Sequence, residues 1–408
     1  MPSFFSNNVI PVPKIQKGEL NFPDPHLAQA VRISIGKPSG FLTKQDLTKL
    51  TELIYLPTHK EAMIHSLSGL EFAENLTNLQ LHCHFLHRID PIRSLSRLTD
   101  LHLWDFRDET DSGFYPLEDL SVIEGLINLK TLSLDCLNCD ISKVVSLKNL
   151  EEVYFRGPVK NGLGVFSGLT QLKKLKLSEV GVNSGDLSPL ALLQNLTHLY
   201  FTNANHVKDL VPLALLPNLL QLTLPYLARN WDVDLKPLRS LTHLEHLNLS
   251  RLPRSSSSPQ NKGKVTELDA LSHLTGLKKI QLDDCDLNEV TFLKPLANLK
   301  EISLTKNPIN DISPLASIPN LEYLRFGQNF VNDFSPLLSL SNLKELDISE
   351  IEFSKRHYRL DKKACLANLT WRNHSDFSNL TKRGVRIVIG ERRFEGWPKY
   401  RKWIPILY

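Results

Sequence analysis

The chain has 408 residues and a mass of 46.4 kDa, enough for two or three ordinary domains or one long repeat array. With 41% hydrophobic and 23% charged residues it has a globular composition, and no apolar run approaches the roughly 20 residues of a membrane-spanning helix. The net charge of +4 hides an asymmetry: residues 351–408 hold 14 Lys and Arg against 5 Asp and Glu, a surplus of nine, so the preceding 350 residues carry a net −5.

The first 20 residues, MPSFFSNNVIPVPKIQKGEL, read as an N-terminal extension. They lack a basic start followed by an apolar core, so a cytoplasmic location is expected, with export by a signal-less route left open. Five scattered cysteines (83, 136, 139, 285 and 365) do not make a disulfide framework and agree with a reducing setting. Residues 21–53 follow as a helical segment. Asp24-Pro25 predicts a helix start with Ala28, Val31 and Ile35 on one face, and Thr43-x-x-Asp46 predicts a capped start for a second helix.

From residue 54 to 350 the chain repeats itself. Strings of the form N-L-x-x-L-x-L place a leading leucine at 76, 98, 129, 150, 172, 196, 219, 244, 277, 299, 321 and 343, most of them 21 to 25 residues apart. A fixed period of this length marks a solenoid, in which a single unit cannot bury its own apolar face. In the unit from Leu299, Ile302 and Leu304 alternate with Glu301 and Ser303, the period of a strand. Asn307 follows where its amide can satisfy backbone groups as the chain turns away. Ile309, Ile312, Leu315 and Ile318 then point inward along an irregular or 3₁₀ return path. Pro91, Pro189, Pro212, Pro237, Pro314 and Pro336 occupy that path in six units. Proline fixes φ and lacks an amide donor, which suits a tight non-helical crossing.

This pattern resembles the leucine-rich repeat, in the 22-residue subtype of bacterial internalin-like proteins and of a regulatory subunit of protein phosphatase 1. The resemblance covers about residues 50–350 and some 12 to 13 repeats. It implies an α/β solenoid: a horseshoe with a parallel concave sheet, an irregular or 3₁₀ convex side and a short helical N-terminal cap. The function implied is non-enzymatic protein binding on the concave face, of a host receptor as in internalins or of an enzyme as in the phosphatase subunit. No cofactor is expected.

Departures from the pattern mark candidate sites. The asparagine position holds His84 in the first aligned repeat and Cys285 in the unit from Leu277. Insertions follow two strands, acidic and aromatic at 104–116 and basic and serine-rich at 250–264. The outward column of the sheet is expected to read Gln80, His102, Ser133, Tyr154, Lys176, Tyr200, Thr223, Asn248, Gln281, Ser303, Arg325 and Asp347. Exposed aromatics and arginine dominate protein interfaces, so the partner-binding patch is placed at Trp104, Tyr154, Arg156, Lys176, His198 and Tyr200. Cys136 and Cys139 lack the second pair that zinc would need, and His82, His84 and His102 lack an acidic or cysteine ligand to complete a metal site. No phosphate loop or nucleophile elbow is present. Residues 351–408 form a basic C-terminal cap in which Val385, Ile387 and Ile389 predict one further strand. The arginines, lysines and aromatics of residues 379–408 offer an alternative function, binding of nucleic acid or an anionic membrane.

Overall fold

The computed structural model describes residues 18–57, 62–83, 86, 88–105, 119–135, 140–159, 161–179, 181, 185–228, 232–252, 264–348 and 374–388. The chain divides into two compact units, residues 1–184 with 189–196, and residues 185–188 with 197–408. His84, most of both insertions, the Cys136 and Cys139 pair, Cys365 and residues 389–408 lie outside the described residues.

The first unit opens with α1 (Pro25–Ser34) and α2 (Lys44–Leu47). Asp24 caps α1 by accepting from the amides of His26 and Leu27 at 2.9 and 3.0 Å. Its second carboxylate oxygen accepts from the amides of His65 and Ser66 at 2.6 and 3.2 Å. One buried carboxylate thereby ties the cap helix to the first turn of the array. Helix α1 buries Leu27, Ala28, Ala30 and Val31, whereas Ile35 is the half-exposed residue that ends it. The apolar face is thus wider and one turn shorter than expected. Thr43 and Asp46 form the expected capping box on α2, and the Lys37 ammonium at 2.7 Å holds the Asp46 carboxyl down at about 2.

Six parallel strands follow in this unit: β1 (Glu52–Tyr55), β2 (Asn78–Cys83), β3 (Asp100–Asp105), β4 (Thr131–Asp135), β5 (Glu152–Arg156) and β6 (Lys174–Ser178). The second unit carries β7 (His198–Phe201), β8 (Gln221–Thr223), β10 (His246–Asn248), β12 (Lys279–Gln281), β13 (Glu301–Ser303), β14 (Tyr323–Arg325) and β15 (Glu345–Asp347), also parallel. A two-stranded ladder of β9 (Val233–Asp234) and β11 (Val265–Thr266) precedes the returns of two of its repeats. Each of the twelve aligned leucines leads into one strand. Within a strand, residues alternate between the core and the opposite face, as in the buried Leu175 and Leu177 beside Lys174 and Lys176.

The return paths are short 3₁₀ turns, including Asp90–Ile92, Val211–Leu215, Lys236–Ser240, Ser313–Ser317 and Ser335–Ser339, each with proline in its first two positions. At the start of such a turn the missing N–H has no partner to lose. An aspartate just upstream supplies the amide that follows it with an acceptor, as Asp311 does for Ser313 at 2.8 Å and Asp333 for Ser335 at 2.9 Å. The strand-to-return corner is made by a left-handed residue seven places after the leading leucine: Glu179, Tyr226, Arg251, Asp284, Lys306 and Gln328 all have φ of 56–66°. Such a conformation costs a non-glycine residue on the order of 1 kcal/mol and is kept because the next repeat captures the turning amide. Lys306 N–H, for example, donates to Gly327 O at 2.9 Å.

Asn307 closes the same corner from within. Only 2% exposed, it donates through Nδ2 to Leu282 O at 2.8 Å and Leu304 O at 2.9 Å. Its Oδ1 accepts from the amides of Cys285 and Leu287 at 2.9 and 3.1 Å. Asn329 repeats the arrangement one turn on, with Nδ2 donating to Leu304 O at 2.8 Å and Phe326 O at 2.9 Å. Where Cys285 replaces asparagine, its thiol donates to Asp283 O at 3.3 Å, and burial pushes its pKa up so that it stays protonated.

The last elements among the described residues are α3 (His374–Lys382) and β16 (Arg386–Val388), which pairs parallel with β15. Phe377 meets Phe334 at 5.0 Å between ring centres, and Leu380 and Val385 are buried. The further strand expected from Val385, Ile387 and Ile389 is present but displaced. Val385 precedes it, Ile387 is only half-buried as part of the outermost strand, Val388 is buried, and Ile389 lies outside the described residues.

Two outcomes follow. Asn307→Ala strands two buried amides and at least two carbonyls, so urea unfolding should show a loss of about 3 kcal/mol or more, and Asn307→Cys, which keeps a donor, a smaller one. Asp24→Ala should cost roughly 2–4 kcal/mol and expose α1 to proteolysis before the repeats are cut.

Candidate protein-interaction face

The strand pairings place the outward column as expected within each unit. In the first, Gln80, His102, Ser133, Tyr154 and Lys176 stand opposite one another across β2 to β6. In the second, the row runs Tyr200, Thr223, Asn248, Gln281, Ser303, Arg325 and Asp347. Parallel strands in register stack these side chains about 4.8 Å apart, too close for long side chains to ignore their neighbours.

Tyr154 is half-buried, and its hydroxyl donates to Glu152 Oε2 at 2.9 Å. Burial first, and the Glu152 carboxylate second, raise the phenol pKa well above its usual value. Arg156 is pinned from both sides. Its Nε and Nη2 donate to Glu179 Oε1 at 3.0 and 2.9 Å, and its Nη1 lies 3.8 Å from Asp135. Lys176 stands beside Tyr154, half-buried, with its pKa lowered by burial. These three side chains stand on adjacent strands of one face.

Trp104 does not join them as an open aromatic. It is 8% exposed, and its indole N–H donates to Ser133 Oγ at 2.6 Å. The His102 and His82 rings pack against it at 5.1 and 5.8 Å. The alternation of the strand sets which side a residue takes but not how deeply its neighbours cover it, so the expected exposure of Trp104 is corrected. In the second unit, His198 and Tyr200 are half-buried on the strand face, and His198 Nδ1 lies 2.8 Å from Thr197 Oγ1.

Two residues that matter were missed by sequence reasoning, Asp135 and Glu179. Each lies one repeat from Arg156 along the chain, and a carboxylate at that offset from an outward arginine is the signal that could have found them. Of the basic C-terminal residues, Arg383 donates to the carbonyls of Leu338 and Leu340, and Arg386 lies 3.8 Å from Glu345, so both fasten the last repeat. Among the described residues no three His, Cys, Asp or Glu side chains gather where they could hold a metal ion, and no helix is long and apolar enough to cross a membrane.

A family described as leucine-rich repeats, two copies, matches residues 297–339. An internalin of Listeria monocytogenes superimposes on 91% of this chain and 92% of its own, with a TM-score of 0.54 and 22% identity. The chain has a leucine-rich repeat fold like that of the internalin. A leucine-rich repeat protein of Leptospira interrogans matches 81% of this chain and 96% of its own at 17% identity and a TM-score of 0.41. No curated protein matches the sequence.

His102 gives the face of the repeat protein a pH dependence. Its Nδ1 is buried with no hydrogen-bond partner among the described residues, and burial holds the ring's pKa below the ordinary 6.5, opposed by Asp100 and Glu152. Below pH 6.5 the unfolded chain takes up this proton before the folded one does. Stability is therefore lost as pH falls through that window. His102→Gln should flatten this part of the stability–pH curve, and the ring protons of His102 should titrate below 6.5 by NMR.

Proposed function

We propose that the chain is a non-catalytic recognition scaffold that binds a protein partner on the concave face of its parallel sheet. Tyr154, Arg156 and Lys176 are the contact residues on the strand face of the first unit, His198 and Tyr200 are those on the second unit's own strand face, and Trp104 is a buried support. The observation that carries this reading is the fixation of Tyr154 and Arg156 by Glu152, Glu179 and Asp135. An aromatic and an arginine already held in place lose little rotamer freedom on binding, so more of their contact energy appears as affinity.

The test is capture from a lysate of the source cells by the wild type and by Tyr154→Ala/Tyr200→Ala, at low and high salt, followed by titration of the purified captured protein. A partner bound at least about tenfold more weakly by the variant, with little salt dependence, is expected. Equal affinity for both proteins would remove the face from consideration. Capture abolished by salt or nuclease would move binding to the basic C-terminal segment.

A further inference from the structure

On the flank of the first unit, where the chain enters β2 to β5, lies an open cavity of about 500 Å³. Its lining includes Arg97, Asn128, Lys130, Asn149, Glu151 and Gln171, none of which belongs to the sheet face. The volume is in the range of small-molecule sites.

The residue immediately before each leading leucine forms a column along this flank. In the first unit it reads Asn75, Arg97, Asn128, Asn149, Gln171 and Asn195. Each asparagine spends its amide nitrogen on a carbonyl of the preceding repeat, Asn75 on Thr48, Asn128 on Ser96, Asn149 on Ile127 and Asn195 on Thr170, at 2.7–2.9 Å. Arg97 and Gln171 are the two departures from asparagine in this column, and both line the cavity.

The polar groups there are incompletely used. The Oδ1 atoms of Asn128 and Asn149 accept from no donor among the described residues, and the Gln171 amide bonds to none of them. Arg97 spends one N–H on Asn75 Oδ1 at 2.8 Å and forms no ion pair among the described residues. Lys130 reaches Glu151 at 3.7 Å, whereas Lys173 binds Glu151 at 2.6 Å. Lys173 chiefly holds the Glu151 carboxyl below its usual range and keeps it anionic. The rim therefore has two cations against one anion that is already well paired.

We propose that this cavity binds a carboxylate carried on a hydroxyl-rich ring, the chemistry of an acidic saccharide. The Arg97 guanidinium and Lys130 ammonium take the carboxylate, a planar group suited to the arginine fork. The free Asn128 and Asn149 oxygens accept from hydroxyls, and the Gln171 amide can both give and accept. A hydroxyl is the partner that satisfies fixed acceptors and donors alike. The site does not use Tyr154, Tyr200 or the sheet face, so it stands apart from the function proposed above.

The test titrates the full chain with glucuronate, glucose and acetate by calorimetry or ligand-observed NMR. Glucuronate should bind at least about tenfold more tightly than either comparator, because it alone carries both features. Arg97→Asn, which installs the side chain found at this position in neighbouring repeats, should weaken glucuronate at least about tenfold with an unchanged unfolding midpoint, and Tyr154→Ala should leave it unaltered. Acetate binding as well as glucuronate would show a plain anion patch and overturn the proposal. So would an unaffected Arg97→Asn variant, or no binding of any probe into the tens of millimolar.

Discussion

A turn of chain about 22 residues long cannot satisfy its own backbone, and the rest of this protein follows from that. Its strand has no partner within the repeat, and the corner after the strand points amides and carbonyls into a space no other element can fill. The neighbouring repeat supplies the ladder, and Asn307 or Asn329 supplies the corner. The asparagine can do this because one amide presents two donors and an acceptor at fixed angles. Aliphatic residues then fill what lies between, and each fully buried one contributes about 1.5–3 kcal/mol. The same dependence explains why both ends need covers. Asp24 fastens one, and Phe377 and Leu380 pack beneath the other.

What could be foreseen from the sequence divides along this line. The strands and their register were visible because the spacing of leading leucines and the alternation inside each strand both report on burial, and burial is what the repeat must achieve. Asn307 could be placed for the same reason. Features that concern only local geometry were not visible. Lys306 and Gln328 sit in left-handed backbone although nothing about lysine or glutamine favours it, because the corner is imposed by the repeats on either side. Asp311 and Asp333, which cap the 3₁₀ turns, look like ordinary surface acids until the turn that uses them is known. Trp104 failed for a further reason. It stands on the expected side of its strand, with His82 opposite it in register, but how deeply His82, His102 and Ser133 cover its ring is a matter of side-chain packing that the period does not describe.

The candidate face is self-satisfied rather than open. Glu152 lies 2.8 Å from Lys174, Arg156 engages Glu179 and Asp135, and Lys279 lies 2.7 Å from Glu301. Each pair is worth little to stability where it is exposed. On the proposed reading their effect is on recognition: a partner must share or replace these contacts, and one that offers no substitute leaves charges without their partners. On that reading the face discriminates through what it refuses.

The positions that close the backbone and those that do not are under different physical constraints, and the departures from the repeat show it. An inward change must still make a bond, which is why Cys285 keeps a donor aimed at the carbonyl of Asp283. A flank change need not. Gln171 bonds through its side chain to none of the described residues, and Arg97 exchanges the backbone bond for one to the Asn75 side chain, yet the ladder at β2 to β6 holds. The cost of losing that exposed bond is small, about 1 kcal/mol or less. A residue that is cheap to change is free to take on chemistry, whereas a residue that closes a corner is not. In an array of this kind, function should therefore be sought where an outward or flanking column breaks its own rule.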